Sequence, residues 1–274
     1  REGDHCRCSG GADTDMAAAN LVLGLLHWNP HWQCFVKHDS CATAAQSALT
    51  TLLSDPSLDF ANIVEMEAAD YKPPANWDFI ALDQDCGHDW DTLFYRTDKW
   101  SLGYQSHGCL VTSRSYAAGT FISKADPEVQ VTVLGAHFPQ TLNASTHAYE
   151  QAAANASKIL HALGAGGRTI LLADTNTEGP AAAAANASHH GVNKTNAQLM
   201  ADLGVWNISM GEPPASPLYK GCCFSDAFSW QGDRIVATFG KVLSSKVLFD
   251  PAPSWASFVG SEFHKGVTLS LSVD

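Results

Sequence analysis

The chain has 274 residues, 45% of them hydrophobic and 16% charged, with a formal net charge of −12. That length can bury a full core and sits at the large end of one domain. Only 16 Lys and Arg residues stand against the negative balance, which excludes broad electrostatic capture of nucleic acid, and no apolar run approaches the ~20 residues of a membrane span.

In chain order, residues 1–19 carry Cys6 and Cys8 and read as an N-terminal extension expected to be tethered by a disulfide. LVLGLLHW (21–28) is the first expected strand, followed by a helix over Ser40–Leu53, with Ser40 or Asp39 as its cap and Ala45, Ala48, Leu49 and Leu52 on one stripe. DFANIVEM, DTLFYRT, CLVTSR and VQVTVLGAHF read as strands, by alternation or as short apolar runs between turn residues. A second helix runs from about Ala144 to Leu163. Its small alanine face, with Tyr149, Ile159, Leu160 and Leu163, can lie on a sheet, and Gly164, Gly166 and Gly167 stop it. RTILLAD is the next strand. The alanine-rich GPAAAAANASHHGVN that follows has too few turns between its Gly-Pro start and His-His-Gly end for a stable isolated helix, so it reads as a surface loop. His189 and His190 within it have the chemistry of metal ligands, but an exposed pair beside a sequon reads first as solvated. A short helix over Asn196–Leu203 and the strands DRIVATFGKV and VTLSLSV complete the chain. Strands with interleaved helices predict two packed sheets with helices outside.

Eight cysteines form an even set without the C-x-x-C spacing of a zinc site, so disulfides are expected. Adjacent Cys222 and Cys223 should bond to different partners. Five sequons, at Asn143, Asn155, Asn186, Asn193 and Asn207, exceed the about two expected by chance. Both features point to a secreted or extracytoplasmic protein, and a first residue Arg1 without a signal-peptide pattern leads to the expectation of a removed leader.

Six stretches each end an apolar run on a group that binds metal or moves a proton. They are Asn29 in LVLGLLHWN, Glu65 in DFANIVE, His137 in VTVLGAHFP, Asp174 and Asn176 in TILLADTN, Asp233 in GDRIVA, and His264 in SEFHKGV. Taken singly, each reads as a turn former or a satisfied structural group. Strand ends brought side by side would collect an amide, a glutamate, two aspartates, a second amide and two histidines at one rim, a reaction centre's inventory. Because the stretches run from Asn29 to His264, any cut would divide the site, and residues 1–274 read as a single domain.

The order of these motifs, from Leu21 to Val273, resembles the endonuclease/exonuclease/phosphatase superfamily, the group that includes deoxyribonuclease I, abasic-site endonucleases, secreted sphingomyelinases and inositol-polyphosphate phosphatases. LLHWN resembles the family's opening strand with its metal-side asparagine, and DFANIVE its D-I-V-x-L-Q-E strand, placing Glu65 rather than Glu67 as metal ligand. LFYRTDKWSL looks like the next strand pair, and Arg114 stands where members often keep a phosphate-facing arginine. GAHFP, ADTN and GDRIVA are similar to the catalytic-histidine strand end, the G-D-x-N signature and the D-R-I motif. SEFHKGV stands in for S-D-H-x-P-V, with Phe263 where the family has an aspartate and Gly266 where it has a proline. Glu262, one residue away, reaches the same side only through a bulge. The resemblance implies a four-layer α/β sandwich, two packed mixed β-sheets flanked by helices.

Phosphodiester cleavage needs a nucleophilic water, charge neutralisation on the phosphoryl oxygens and a proton for the leaving oxygen. His264 paired with Asp233 is the expected base and His137 the expected acid, while Asp174 orients the water and Asn176 donates its amide to the phosphate. Glu65, aided by Asn29, offers oxygen ligands for a hard divalent cation, Mg²⁺ first, with Mn²⁺, Ca²⁺ or Zn²⁺ as other choices. The leading expectation is a secreted, monomeric metal-dependent phosphodiesterase acting on a phosphoester such as DNA, a nuclease of the deoxyribonuclease I type. The alternatives are a phosphomonoesterase or sphingomyelinase-like lipid phosphodiesterase. With Phe263 in place of an acid, a metal-hydroxide enzyme of another reaction class or a non-catalytic scaffold on the same fold also stays open.

Overall fold

Side chains alternate across a strand, and that parity sorts the apolar runs into layers. The computed structural model describes residues 21–273 apart from 37–38, 82–85, 88–89, 140–145, 166, 177–231 and 260–262. The N-terminal extension, the expected Asn196–Leu203 helix, the alanine-rich segment with His189 and His190, Cys222, Cys223, Glu262 and every sequon but Asn155 lie outside the described residues. In chain order the elements are β1 (Val22–Trp28), α1 (Trp32–Val36), α2 (Asp39–Leu53), β2 (Phe60–Val64), β3 (Trp77–Ile80), β4 (Asp91–Arg96), β5 (Trp100–Val111) and β6 (Arg114–Ser123). They continue with β7 (Gln130–His137), α3 (Thr146–Ala162), β8 (Thr169–Asp174), β9 (Asp233–Ala237), β10 (Lys241–Val247), a 3₁₀ turn (Ser254–Phe258) and β11 (Val267–Ser272).

The strands form two sheets, ordered β10-β11-β1-β2-β4-β3 and β5-β6-β7-β8-β9. Each is mixed: β1 and β2 run parallel in the first, β7 and β8 in the second, and the other pairings are antiparallel. One parity of each strand faces the other sheet. Leu23 and Leu25 of β1, Phe60 of β2, Val131 and Val133 of β7, and Ile170 and Leu172 of β8 share this inner layer. The opposite parity of the first sheet, Leu26, Trp28, Ala61, Ile63 and Phe94, packs under Ala45, Leu49 and Leu53 of α2. That of the second sheet, Leu134, Ala136, Leu171 and Ala173, packs under Ala152, Ala153, Ala156 and Leu160 of α3. The result is the expected four-layer α/β sandwich. Gly164, at φ +69°, ends α3 where a side chain would be strained. The sequon residue Asn155, on α3, donates its Nδ2 to the carbonyl of Leu110 at 2.6 Å.

Several elements differ from the sequence reading. CLVTSR is not one strand: Ser113 turns left-handed (φ +59°), and the segment spans the end of β5, a two-residue turn and the start of β6. DRIVATFGKV also breaks in two, because Gly240 (φ +70°) turns the chain so that β9 lies in the second sheet and β10 in the first. A Cβ at Gly240 would overlap the Ser272 carbonyl, so glycine alone permits the crossing. The strand β3, most of β5 and β6, and the short α1 lie outside the sequence reading. Strand β5 carries many polar and glycine residues because one side of this edge strand faces solvent. Disulfides join Cys34 to Cys41, linking α1 to α2, and Cys86 to Cys109, tying the segment after β3 to β5.

Two buried features set the geometry near the future site. Asn62 reaches from β2 across the inner layer, donating its Nδ2 to Leu172 O of the second sheet and to Asp91 Oδ1, both at 3.0 Å. Gly135 of β7 leaves room for that amide, since any Cβ there would overlap it. On the outer side, Phe263 is fully buried, edge-on to Trp28, Phe249 and Trp255 at centroid distances of 6.3, 5.9 and 5.4 Å. Gly135→Ala is expected to destabilise the protein by about 1–3 kcal/mol; an unchanged urea midpoint would show that the Asn62 amide moves aside freely. Phe263→Asp places an unpaired carboxylate among three aromatic rings and should lower unfolding free energy by at least ~3 kcal/mol, read by the same titration.

Candidate active site

The inner layer is apolar over most of its depth and turns polar at one end, and parity explains the change. The inward series Leu23–Leu25 continues to His27 and Asn29, Val131–Val133 passes Gly135 to His137, and Ile170–Leu172 ends on Asp174. Strands entering from this end begin with their polar residue, so Asp91 precedes Leu93 and Tyr95, and Asp233 precedes Ile235 and Ala237. Backbone registers align them: His137 pairs with Asp174, and Asp174 with Asp233.

Glu65 has the wrong parity to join this face as a strand residue. It sits instead at φ +56°, where β2 ends, and its carboxylate is received by Asn29 Nδ2 (3.0 Å to Oε1) and the Trp32 N–H (3.0 Å to Oε2). Asn176 is likewise left-handed, at φ +46°, with its N–H on Asp174 Oδ1 at 2.9 Å and its Nδ2 on Phe138 O at 2.8 Å. Two non-glycine residues in this region store backbone strain at the site itself. Asn29 Nδ2 also donates to Asp174 Oδ2 at 3.2 Å, and its Oδ1 accepts from the His31 N–H. Asn29 therefore presents its amide hydrogens to both carboxylates and helps to place Glu65.

His264 donates through Nδ1 to Asp233 Oδ2 at 2.8 Å, with Asp174 Oδ2 at 3.4 Å. Burial opposes a charge on the ring, but Asp233, Asp174 and Glu65 outweigh it and push His264 up to about 10. His137 shows the opposite balance. It lies 3.7 Å from Asp174 and 3.9 Å from Glu65, and burial, reinforced by the Arg114 guanidinium, pushes it down to about 4. Burial also works against ionisation of Glu65 and Asp174, yet the histidines nearby and the hydrogen bonds from Asn29 and the Asn176 N–H hold both carboxyls below their usual range. Arg114, at the start of β6, is half-buried, and burial lowers its guanidinium against the pull of Glu65 and Asp174. Beneath them, at the floor of the site, burial pushes the Asp91 carboxyl well up despite hydrogen bonds from Asn62 and Ser115.

All eight residues singled out from the sequence thus gather at one end of the sandwich. Sequence reasoning missed His27 and Asn62, which sit inside strands, and Asp91 and Ser115, which lie at the starts of β4 and β6. The signal was available for His27, two residues before Asn29 and so on the same face.

The donor set fits a hard divalent cation. Asp174, Asp233 and His264 each offer a ligand atom, all within 4.8 Å of one another, and Glu65 adds a carboxylate beside the buried His137 Nδ1, which lacks a hydrogen-bond partner. A proton on His264 Nδ1 and a cation on that same atom exclude each other, which leaves Glu65 and the aspartates as the oxygen ligands when His264 is charged.

No family model matches the chain, and no curated protein does. Solved structures do. An endonuclease/exonuclease/phosphatase protein from Bacteroides vulgatus superposes with a TM-score of 0.65 at 14% identity, covering 93% of this chain and 100% of its own. The human Nocturnin catalytic domain with bound sulfate superposes at 0.60 with 16% identity, over 92% of this chain and 94% of that one. A Bacteroides thetaiotaomicron mannosyl-6-phosphatase superposes at 0.57 with 15% identity, over 90% and 98%. The chain has the fold of the endonuclease/exonuclease/phosphatase proteins.

Proposed function

We propose that the chain is a divalent-metal-dependent phosphodiesterase of an extracytoplasmic compartment, with a nuclease of the deoxyribonuclease I type as the leading reading. The observation that carries it is the Asp233–His264 pair at 2.8 Å, set beside Asp174 in a cleft that also holds Glu65, His137 and Arg114. Two disulfides support the compartment, because such bonds persist where the surroundings are oxidising. No described helix is long and apolar enough to cross a membrane. A monomer remains the expectation.

Charge states divide the labour. Charged His264 and Arg114 face the phosphoryl oxygens as two cations, and a bound divalent ion held by Glu65 and the aspartates supplies further charge neutralisation there. His264 has to lose its proton before it can serve as a base, and its high pKa opposes that at neutral pH; the water is better oriented by Asp174, ionised and fixed by Asn29 and the Asn176 N–H. His137 is neutral in the free site, so it donates a hydrogen bond to the leaving oxygen, and the negative charge of a substrate is what raises its proton affinity toward that of an acid. One amide hydrogen of Asn176 holds Phe138 O and the second remains for a phosphoryl oxygen. The same groups serve a phosphomonoester, a reading favoured by the likeness to the mannosyl-6-phosphatase.

Purified protein incubated with Mg²⁺, Mn²⁺, Ca²⁺ or Zn²⁺ should cleave plasmid DNA and bis-p-nitrophenyl phosphate, and a chelator should abolish both reactions. Faster turnover of mono-nitrophenyl phosphate or of sphingomyelin would favour the alternatives, and silence on all four substrates would end the phosphoesterase reading. Glu65→Ala and His264→Ala should each lower kcat on the order of 100-fold or more, with far-UV circular dichroism unchanged. Stability should track His264 as well. Its folded pKa, about 10, lies above the ordinary 6.5, so its contribution is complete below about pH 6.5 and is lost as pH rises through about 10. The melting temperature in chelator should fall across that window, and His264→Gln should flatten the fall; an equally steep slope in the variant would contradict the assignment.

A further inference from the structure

We propose that His27 is a positioning residue for His264: it holds the second oxygen of Asp233, so that one carboxylate is clamped between two imidazoles. The inference rests on the phosphoesterase reading of the site. His27 is fully buried, with Nε2 2.9 Å from Asp233 Oδ1, while His264 Nδ1 lies 2.8 Å from Oδ2 of the same group. An ionised carboxylate only accepts, so the His27 proton resides on Nε2, which leaves Nδ1 as an acceptor. That Nδ1 is buried and has no partner among the described residues. A side chain selected for packing between Leu25 and Asn29 needs no ring nitrogen there. The unpartnered atom is tolerated because the other nitrogen performs a task.

The task follows from topology. Asp233 is the first residue of β9, which among the described residues is the last strand of the second sheet, paired with β8. The torsion that turns an aspartate carboxylate is soft and broad. A rotation of the group would turn its acceptor oxygen away from His264 Nδ1. His27 opposes that rotation from across the sandwich by holding Oδ1. It lies on β1, in the interior of the first sheet, in register with Val267 of β11 on one side and Asn62 of β2 on the other. An interior strand of one sheet thus bonds the carboxylate on a strand of the other. His264 then keeps one tautomer and one ring orientation toward the cleft.

The test compares His27→Leu, which removes the donor, with His27→Gln, whose amide nitrogen can occupy the Nε2 place, and His27→Asn, which keeps polarity but is too short to reach. Measured on the metal-loaded protein with bis-p-nitrophenyl phosphate, kcat should fall on the order of 10- to 100-fold in the leucine and asparagine variants, with KM little changed. The glutamine variant should recover most of it. By ¹H–¹⁵N NMR, the low-field Nδ1–H signal of His264 should be sharp in wild type and the glutamine variant and broadened or shifted in the other two. Wild-type kcat and signal in His27→Leu would overturn the proposal, as would equal losses in all three variants. If the leucine variant fails to fold, the glutamine and asparagine pair decides the same question. The NMR signal is read without substrate, so an enzyme silent on every phosphoester would sink the proposed reaction while the clamp is still judged on that signal.

Discussion

Two sheets can close on each other only if the layer between them is satisfied, and at one end of this molecule that layer is polar. Asn62 is the interaction that makes the closure possible there. Its amide bridges from β2 to the Leu172 carbonyl of the opposite sheet and to Asp91, filling the space that Gly135 leaves open. An unmet hydrogen bond at this depth costs more than the bond itself is worth, so the Nδ2 contacts of Asn62 add to the apolar packing that holds the sheets together. His27, Asn29, His137, Asp174 and Asp233 stand on that floor, and their separations follow from its height.

Above the floor, similar groups behave differently because of what lies beside them. Both active-site histidines are buried, which by itself opposes charge on each. His264 has Asp233 in contact and Asp174 close by, whereas His137 keeps its carboxylates more than 3.5 Å away and faces Arg114. A difference of about an ångström in the nearest anion, together with one guanidinium, is enough to send two identical side chains to opposite protonation states across the neutral range. The arrangement is prepared before any substrate arrives, which is where electrostatic catalysis gains its advantage.

Much of this was legible in the sequence, for reasons that can be named. Apolar runs such as TILLAD and VTVLGAH announce buried strands, and a polar residue at one end of each run marks the sheet's rim, so Asp174, His137 and Asp233 could be placed without coordinates. α2 and α3 were readable from their stripes and stops. What stayed hidden depends on contacts between distant segments. The strand β5 alternates too weakly because it lies at an edge, and the break at Gly240 is invisible until Ser272 is known to sit against it. Glu65 was legible as a residue but not in its geometry, since its carboxylate reaches the cleft only through a left-handed backbone. Phe263 stands out in the sequence as a departure from the family's aspartate, and its reason is now plain: the position belongs to an aromatic cluster on the helix side of the sheet.

The bond from Asn155 Nδ2 to the Leu110 carbonyl has a consequence for biosynthesis. That nitrogen is the atom to which an N-linked sugar is attached, and in the folded protein it is committed to the backbone at 2.6 Å, half-buried under α3. Were a sugar to be added here, its attachment and the docking of α3 on the second sheet would compete for the same atom. A nascent chain that receives a sugar at Asn155 before the helix docks loses this anchor and must seat α3 with a bulky polar group beneath it, whereas a chain that docks first hides the acceptor from the transferase. Occupancy at this one sequon would act as a clock, recording whether the second half of the sandwich assembles before or after the modifying enzyme passes.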